Sequence, residues 1–128
     1  MWLPKLLLTL LISAAGTLAF AGEIRPYSQE QFDALSASGK PVVIAVHASW
    51  CPTCKAQRPI LEALMAQPAY RTVTTLTIDF DGDKSLLAHY RVALQSTLIG
   101  FKAGKEVGRT VGDTTPSGIE SLVKKTAG

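Results

Sequence analysis

The sequence predicts one α/β domain in which a mixed β-sheet is covered by helices on both faces. Segments with strand character alternate with helical segments as far as residue 90, which is typical of parallel strand pairs joined by helices. Two strand segments joined by Ala103-Gly104 then indicate an antiparallel hairpin. Residues 42–48 are apolar on both faces, as expected for a buried central strand.

Each element has a local signal in the sequence. Ser28-Gln29-Glu30-Gln31 has the pattern of a capping box and predicts a short helix that ends near Leu35. After the strand over 42–48, a helix over 52–65 starts with a proline in its first turn, where the missing N–H has no cost. The remaining predicted elements are a strand over 72–79, a helix over 84–90, hairpin strands over 97–102 and 105–111, and a final helix capped by Thr115.

The first 21 residues resemble a secretory signal peptide. Lys5 supplies a small positive region, residues 6–15 are apolar, and Ala19-Phe20-Ala21 matches a cleavage site. We therefore expect a signal peptide over 1–21 and a mature domain over 22–128. An uncleaved N-terminal anchor is the alternative. Export would bring the cysteines into an oxidising compartment, and the bacterial periplasm is the expected location.

The charge distribution argues against a nucleic-acid partner. The chain has a formal net charge of +3, with 13 Lys and Arg and 10 Asp and Glu. Acidic residues are interleaved with the basic ones, so the sequence contains no basic stripe of the kind that follows a phosphate backbone. The length after residue 21 suits one domain, and no repeat or linker divides it.

Cys51 and Cys54 are the only cysteines, and they stand at a predicted strand-to-helix junction. A helix N-terminus stabilises a thiolate, which is the nucleophile in disulfide exchange. The same spacing also occurs in zinc sites, but these usually need two further ligands, and His47 and His89 are the only histidines. A structural disulfide is a third interpretation, although so small a loop removes little unfolded-state entropy.

Several motifs in order resemble the thioredoxin family. They are Trp50-Cys51-Pro52-Thr53-Cys54-Lys55, Pro59, Phe101-Lys102-Ala103-Gly104 and Val111-Gly112. The resemblance implies a thioredoxin-like fold and a thiol–disulfide oxidoreductase that needs no cofactor or metal. It further implies that Cys51 is the exposed nucleophile, Cys54 the resolving thiol and Trp50 part of the contact surface.

The expected partners follow from that resemblance and from export. They are disulfides or dithiols of other exported proteins, together with a membrane redox partner that recycles this protein, which is expected to be a monomer. Two rival hypotheses remain. One is a module that uses the same cysteines to bind a metal or an iron–sulfur cluster, and the other is an adaptor without redox activity.

Ser96 departs from the family pattern, because it stands where the family has a cis-proline. The resemblance implies that Gln95, Ser96 and Thr97 contact substrate. A cis bond before a residue other than proline costs about 3–4 kcal/mol, so the Gln95–Ser96 bond is expected to be trans or the loop rearranged. A proline at position 96 is expected to restore the family's arrangement and to leave less room for a metal at the dithiol.

A second departure concerns proton transfer. Ala45 and Thr75 occupy the positions of a buried carboxylate and its lysine partner in reducing thioredoxins. His47 lies two residues from Ala45 and so shares its strand face. We consider His47 either a substitute proton acceptor or a neutral histidine packed in the core.

Overall fold

The computed structural model describes residues 21–128, which form five strands and four α-helices. In chain order these are β1 (Glu23–Pro26), α1 (Gln29–Ala37), β2 (Pro41–His47), α2 (Pro52–Met65), β3 (Thr74–Asp79), α3 (Lys84–His89), β4 (Thr97–Lys102), β5 (Lys105–Val111) and α4 (Pro116–Ala127). A 3₁₀ turn over Pro68–Tyr70 leads from α2 towards β3.

The sheet has the strand order β1-β3-β2-β4-β5. β3 pairs in parallel with both β1 and β2, whereas β4 pairs antiparallel with β2 and with β5. The prediction of a mixed sheet is therefore confirmed. β2 lies at the centre, and all of its residues except His47 are buried. The carboxyl end of this buried strand leads directly to Cys51.

Side chains from opposite faces of β2 supply two separate cores. Val43 and Ala45 pack on one face with residues of α2 and α4, including Leu61 and Ile119. The other face packs against α1 and α3 through a cluster of ten buried residues, Phe32, Val42, Ile44, Val46, Leu76, Ile78, Leu87, Tyr90, Ile99 and Phe101. Helices therefore cover both faces, as the sequence predicts.

The helix starts have the predicted local causes. Ser28 Oγ accepts a hydrogen bond from the Gln31 N–H at 3.3 Å at the start of α1. Thr115 Oγ1 accepts one from the Gly118 N–H at 3.2 Å, and Pro116 occupies the first turn of α4. These side chains satisfy backbone donors that have no partner within the helix.

Some element boundaries differ from the predictions. Strand β1 was not predicted, because its four residues alternate weakly and its stability comes from parallel pairing with β3. β3 begins two residues later than expected, and α1 extends beyond Leu35 to Ala37. The signal-peptide prediction falls almost entirely on residues 1–20, outside the described residues. Within residues 21–128, no helix combines the length and the apolar character needed to cross a membrane.

Gly100 lets α4 pack closely on β4. A Cβ atom added at Gly100 would overlap with Thr126 Oγ1 and lie 3.2 Å from Thr126 Cβ. Thr126 is fully buried, and its hydroxyl donates to the Leu122 carbonyl oxygen at 2.7 Å. The hydroxyl therefore has little freedom to move away.

We expect Gly100→Ala to lower the free energy of unfolding by about 1–3 kcal/mol, since overpacking a rigid contact has this cost. Urea denaturation measures the effect. In the double variant Gly100→Ala/Thr126→Ala the overlapping hydroxyl is gone, so part of the loss should be recovered. Strictly additive losses would show that the contact is not the cause.

Candidate active site at the end of the central strand

The two cysteines lie where β2 gives way to α2. Cys51 is the N-cap of α2, with extended backbone angles of φ −89° and ψ 111°. Its Sγ accepts a hydrogen bond from the Cys54 N–H at 3.2 Å, in the manner of a capping side chain. Both cysteines are free thiols. The first turn of α2 thus directs a backbone donor at the Cys51 sulfur.

Ser96 covers the dithiol from the start of β4. Its Oγ lies 3.2 Å from Cys51 Sγ and 3.0 Å from Cys54 Sγ. The residue is only 2% exposed. No cis peptide bond occurs in residues 21–128, so the expectation of a trans Gln95–Ser96 bond is confirmed. Ser96 has φ 63°, an uncommon conformation for a residue other than glycine.

Three hydrogen bonds hold the Ser96 backbone in this conformation. Its N–H donates to the Val46 carbonyl oxygen at 2.8 Å, and its carbonyl oxygen accepts from the Gly112 N–H at 3.0 Å. The same carbonyl oxygen accepts from Gln57 Nε2 at 3.1 Å. Gln57 is 3% exposed, and its Nε2 also donates to the Asp113 carbonyl oxygen at 2.8 Å.

Gln57 was not identified in the sequence analysis. It carries no charge and stands between Ala56 and Arg58 of an amphipathic helix, where a glutamine is usually solvated. The sequence signal for a role at the site is its position three residues after Cys54, which puts Gln57 on the helix face that carries the dithiol.

The environment separates the acidities of the two thiols. Burial favours the neutral form of Cys51, but hydrogen bonds to its sulfur outweigh burial and lower the pKa of Cys51. These bonds come from the Cys54 thiol, the Ser96 hydroxyl and the backbone N–H groups of Cys54 and Thr53. Burial raises the pKa of Cys54, and the neighbouring Cys51 sulfur raises it further. Cys51 therefore ionises to a thiolate more readily than Cys54 does.

Cys54 lines a cavity of about 210 Å³. The apolar part of its lining comes from Ile24, Ala45, Val46, Ala48 and Leu61, and the polar part from Ser49, Gln57, Thr77 and the cationic or titratable side chains of His47, Lys55 and Arg58. Among the residues that the structure describes, none of those lining this cavity is Asp or Glu. Ala45 therefore leaves space, rather than an acid, next to Cys54.

Trp50 lies at the outer edge of the site. The side chain is 55% exposed, and its Nε1 donates to Asp81 Oδ2 at 2.7 Å. Asp81 belongs to the turn after β3, so this bond connects two loops beside the dithiol. In the described part of the chain, no group of three His, Cys, Asp or Glu side chains is arranged to hold a metal ion.

Comparison with known proteins agrees with this fold and motif. The thioredoxin family model matches residues 23–125. The chain belongs to the thioredoxin family. A thioredoxin of Chlamydia trachomatis is 40% identical over 102 residues, which cover 80% of this chain and 97% of that protein. A thioredoxin of Chlamydia pneumoniae is 36% identical over 104 residues, covering 81% and 99%.

A solved structure gives the same result. The crystal structure described as Trxlp from Edwardsiella tarda EIB202 aligns with a TM-score of 0.76 and 43% identity, and the alignment covers 78% of this chain and 97% of that one. The expected thioredoxin-like fold is therefore confirmed. The family match and the thioredoxin relatives support thiol–disulfide oxidoreductase activity for this protein.

Several expectations about individual thioredoxin site residues need correction. Cys51 was expected to be the exposed cysteine, but it is 1% exposed and Cys54 is 7% exposed. His47 is not packed in the core: it is exposed at the end of β2 and lines the cavity. His47 lies on the same strand face as Ala45, but it is the last residue of β2, where that face is no longer covered.

Positions 96 and 97, where substrate contacts are expected, have buried side chains. Ser96 and Thr97 are each 2% exposed, and Thr97 Oγ1 donates to the Leu94 carbonyl oxygen at 2.7 Å. Their side chains therefore face the protein, whereas Gln95 is half-buried. The structure also argues against Ser96→Pro as a simple restoration. Proline requires φ near −65° and lacks the N–H that donates to Val46.

We expect alkylation of the two cysteines to show different pH profiles. The midpoint for Cys51 should lie below that of an unperturbed thiol, because hydrogen bonds favour its thiolate, and the midpoint for Cys54 above it. Iodoacetamide labelling followed by peptide mass spectrometry measures each midpoint separately. A lower midpoint at Cys54 than at Cys51 would contradict the assignment.

Proposed function

We propose that this protein exchanges disulfides of exported proteins, with Cys51 as nucleophile and Cys54 as resolving thiol. The observation that supports this most directly is the position of Cys51 as N-cap of α2. There a backbone N–H and the Ser96 hydroxyl both contact its sulfur. The opposite pKa directions of the two thiols favour the same assignment.

The reaction needs only the two sulfurs. In the reducing direction the Cys51 thiolate attacks one sulfur of a substrate disulfide, and the other substrate sulfur leaves as a thiolate. Cys54 then loses its proton and attacks the Cys51 sulfur of the mixed disulfide, releasing the second substrate thiol. The products are a Cys51–Cys54 disulfide and a substrate dithiol. The oxidising direction runs the same steps in reverse.

Three exposed apolar side chains suggest where substrate docks. Trp50, Leu94 and Val111 are 55%, 54% and 54% exposed. Trp50 adjoins Cys51 in the sequence, Leu94 precedes Ser96 by two residues, and Val111 pairs with Thr97 across β4 and β5. Since Cys51 is buried, attack requires this rim to open as substrate binds. Gln95 lies within the rim and is proposed to contact substrate.

His47 is proposed as the proton acceptor for Cys54. It is exposed at the end of β2 and lines the same cavity as Cys54. An imidazole nitrogen can accept a proton and pass it to solvent. The absence of a carboxylate from the described cavity lining makes this side chain the available base there.

The division of labour between the cysteines is testable by trapping. Cys51→Ser should abolish insulin reduction, whereas Cys54→Ser should accumulate mixed disulfides on Cys51, because attack is intact and resolution is blocked. Trapping by Cys51→Ser alone would reverse the roles.

In the otherwise native protein His47→Gln should prolong the life of the mixed disulfide. An unchanged lifetime in stopped-flow measurements would rule out His47 as the proton acceptor.

The site of action is proposed from the leader-like sequence over 1–21. We propose a monomeric periplasmic protein that a membrane redox partner recycles.

The direction of transfer is decided by the reduction potential of the Cys51–Cys54 couple. A value near −270 mV favours a reductant, and one near −120 mV favours an oxidant.

Export makes a specific prediction about the N-terminus. Cleavage after Ala21 should leave Gly22 as the first residue of the exported protein. Intact-mass measurement of the protein recovered from the periplasmic fraction checks this. Recovery from the membrane with an intact Met1 would replace the cleaved form with an anchored one.

A further inference from the structure

The Ser96 hydroxyl makes contacts that a proline could not make. Its Oγ lies within hydrogen-bond distance of both sulfurs, 3.2 Å from Cys51 Sγ and 3.0 Å from Cys54 Sγ. A hydroxyl has one proton to donate and two lone pairs that accept. It can therefore donate to one sulfur and accept from the other at the same time.

We propose that in the reduced protein Ser96 Oγ donates to the Cys51 thiolate and accepts from the Cys54 thiol, and so sets the reactivity of the pair. The proposal rests on the assignment of Cys51 as nucleophile and deepens it. Hydrogen bonds to an anionic acceptor are stronger than those between neutral groups, so the donated proton belongs with the ionised sulfur. Cys54 remains a thiol, and its single proton is shared between Ser96 Oγ and the Cys51 sulfur.

The surrounding backbone fixes the hydroxyl in this place. The Ser96 N–H is held by Val46 of β2, and its carbonyl oxygen by Gly112 after β5 and by Gln57 of α2. Every polar group of this buried residue therefore has a partner. The left-handed φ of 63° persists because three elements hold it. Gln57 is accordingly a positioning residue that acts through Ser96.

Charged groups near the pair do not replace this hydroxyl. The charged or titratable side chains near the pair are His47 at the end of β2, Lys55 and Arg58 of α2, and Asp81 and Asp113 of the loops. Phe80, which follows β3 and packs against the cysteines, is uncharged. In the described chain none of these side chains hydrogen-bonds to either sulfur. Asp81 accepts from Trp50, and the Asp113 carboxylate accepts from Thr115.

The proposed bond also affects the redox equilibrium. A donor to the Cys51 thiolate stabilises the dithiol form, because the disulfide sulfurs carry no charge. A stabilised reduced form makes the couple more oxidising. Removing the hydroxyl should therefore make the protein a stronger reductant while making Cys51 less reactive at neutral pH.

The test compares Ser96→Ala with Ser96→Gly. Both lack the hydroxyl, but glycine accepts φ 63° without strain and alanine does not. We expect each variant to slow alkylation of Cys51 at neutral pH by about threefold to tenfold and to move its pH midpoint upwards. Equilibration with glutathione should shift by up to about tenfold towards the oxidised protein, equivalent to about 30 mV.

The matched control is Thr75→Val. Thr75 is fully buried, and its hydroxyl contacts Met65 Sδ at 3.6 Å, away from the dithiol. It should leave the Cys51 midpoint unchanged. An unchanged midpoint in both Ser96 variants overturns the proposal, and so does a shift confined to one of them, which would trace the effect to the backbone. If the midpoint moves but the native protein exchanges no disulfide, this inference stands and the proposed function fails.

Gln57→Met tests the positioning role, because methionine has a similar shape and no donor. We expect a smaller rise of the Cys51 midpoint in the native background and none in the Ser96→Ala background. Such non-additivity shows that Gln57 acts through the hydroxyl. Equal shifts in both backgrounds would mean that Gln57 affects the thiol by another route and would remove it from the proposal.

Discussion

The hydrogen bond from the Ser96 N–H to the Val46 carbonyl oxygen joins the loop before β4 to the end of β2, and the arrangement of the dithiol depends on it. β2 delivers Cys51 at its carboxyl end, and β4 begins immediately after Ser96. This bond extends the antiparallel pairing of β2 with β4 as far as Ser96, whose hydroxyl lies at hydrogen-bond distance from both sulfurs. Gln57 and Gly112 complete the connection from α2 and β5.

Burial and hydrogen bonding act in opposite directions on Cys51. A thiol that is 1% exposed loses water, which disfavours its thiolate. The N-terminal N–H groups of α2 and the Ser96 hydroxyl replace that water with oriented donors. Such donors need no reorganisation when charge develops, so a buried sulfur stays reactive. Cys54 lacks an equivalent set of backbone donors and keeps its proton.

The two sides of the dithiol differ in their surroundings, because Cys54 lines a cavity on one side and the Ser96 hydroxyl contacts both sulfurs on the other. On the side of Ser96 both sulfurs lie at hydrogen-bond distance from a hydroxyl, whereas on the side of Ala45 Cys54 borders a cavity with apolar and polar lining residues. The small side chain of Ala45 leaves this space, and the end of β2 places His47 at its margin. In the proposed reaction His47 would pass the Cys54 proton to solvent, because neither Asp nor Glu lines the described cavity.

Much of this protein is determined by local sequence signals. The apolar run of β2, the cap and proline at the start of α4, and the two-residue connection between β4 and β5 each act over a few residues, and α2, β4 and β5 lie over the predicted residues. The position of the dithiol at a helix start was predictable for the same reason. β1 was missed because only its pairing with β3 stabilises so short a strand.

The contacts of the site were decided by tertiary structure. Ser96 and Gln57 are distant from each other in the sequence, and neither belongs to a motif or periodic pattern that predicts a role for it. Their function follows from a left-handed backbone at Ser96, a shared carbonyl oxygen and distances of about 3 Å to two sulfurs. Propensity and patterning act along the chain, whereas a hydrogen bond between remote residues requires the folded sheet to bring their atoms together.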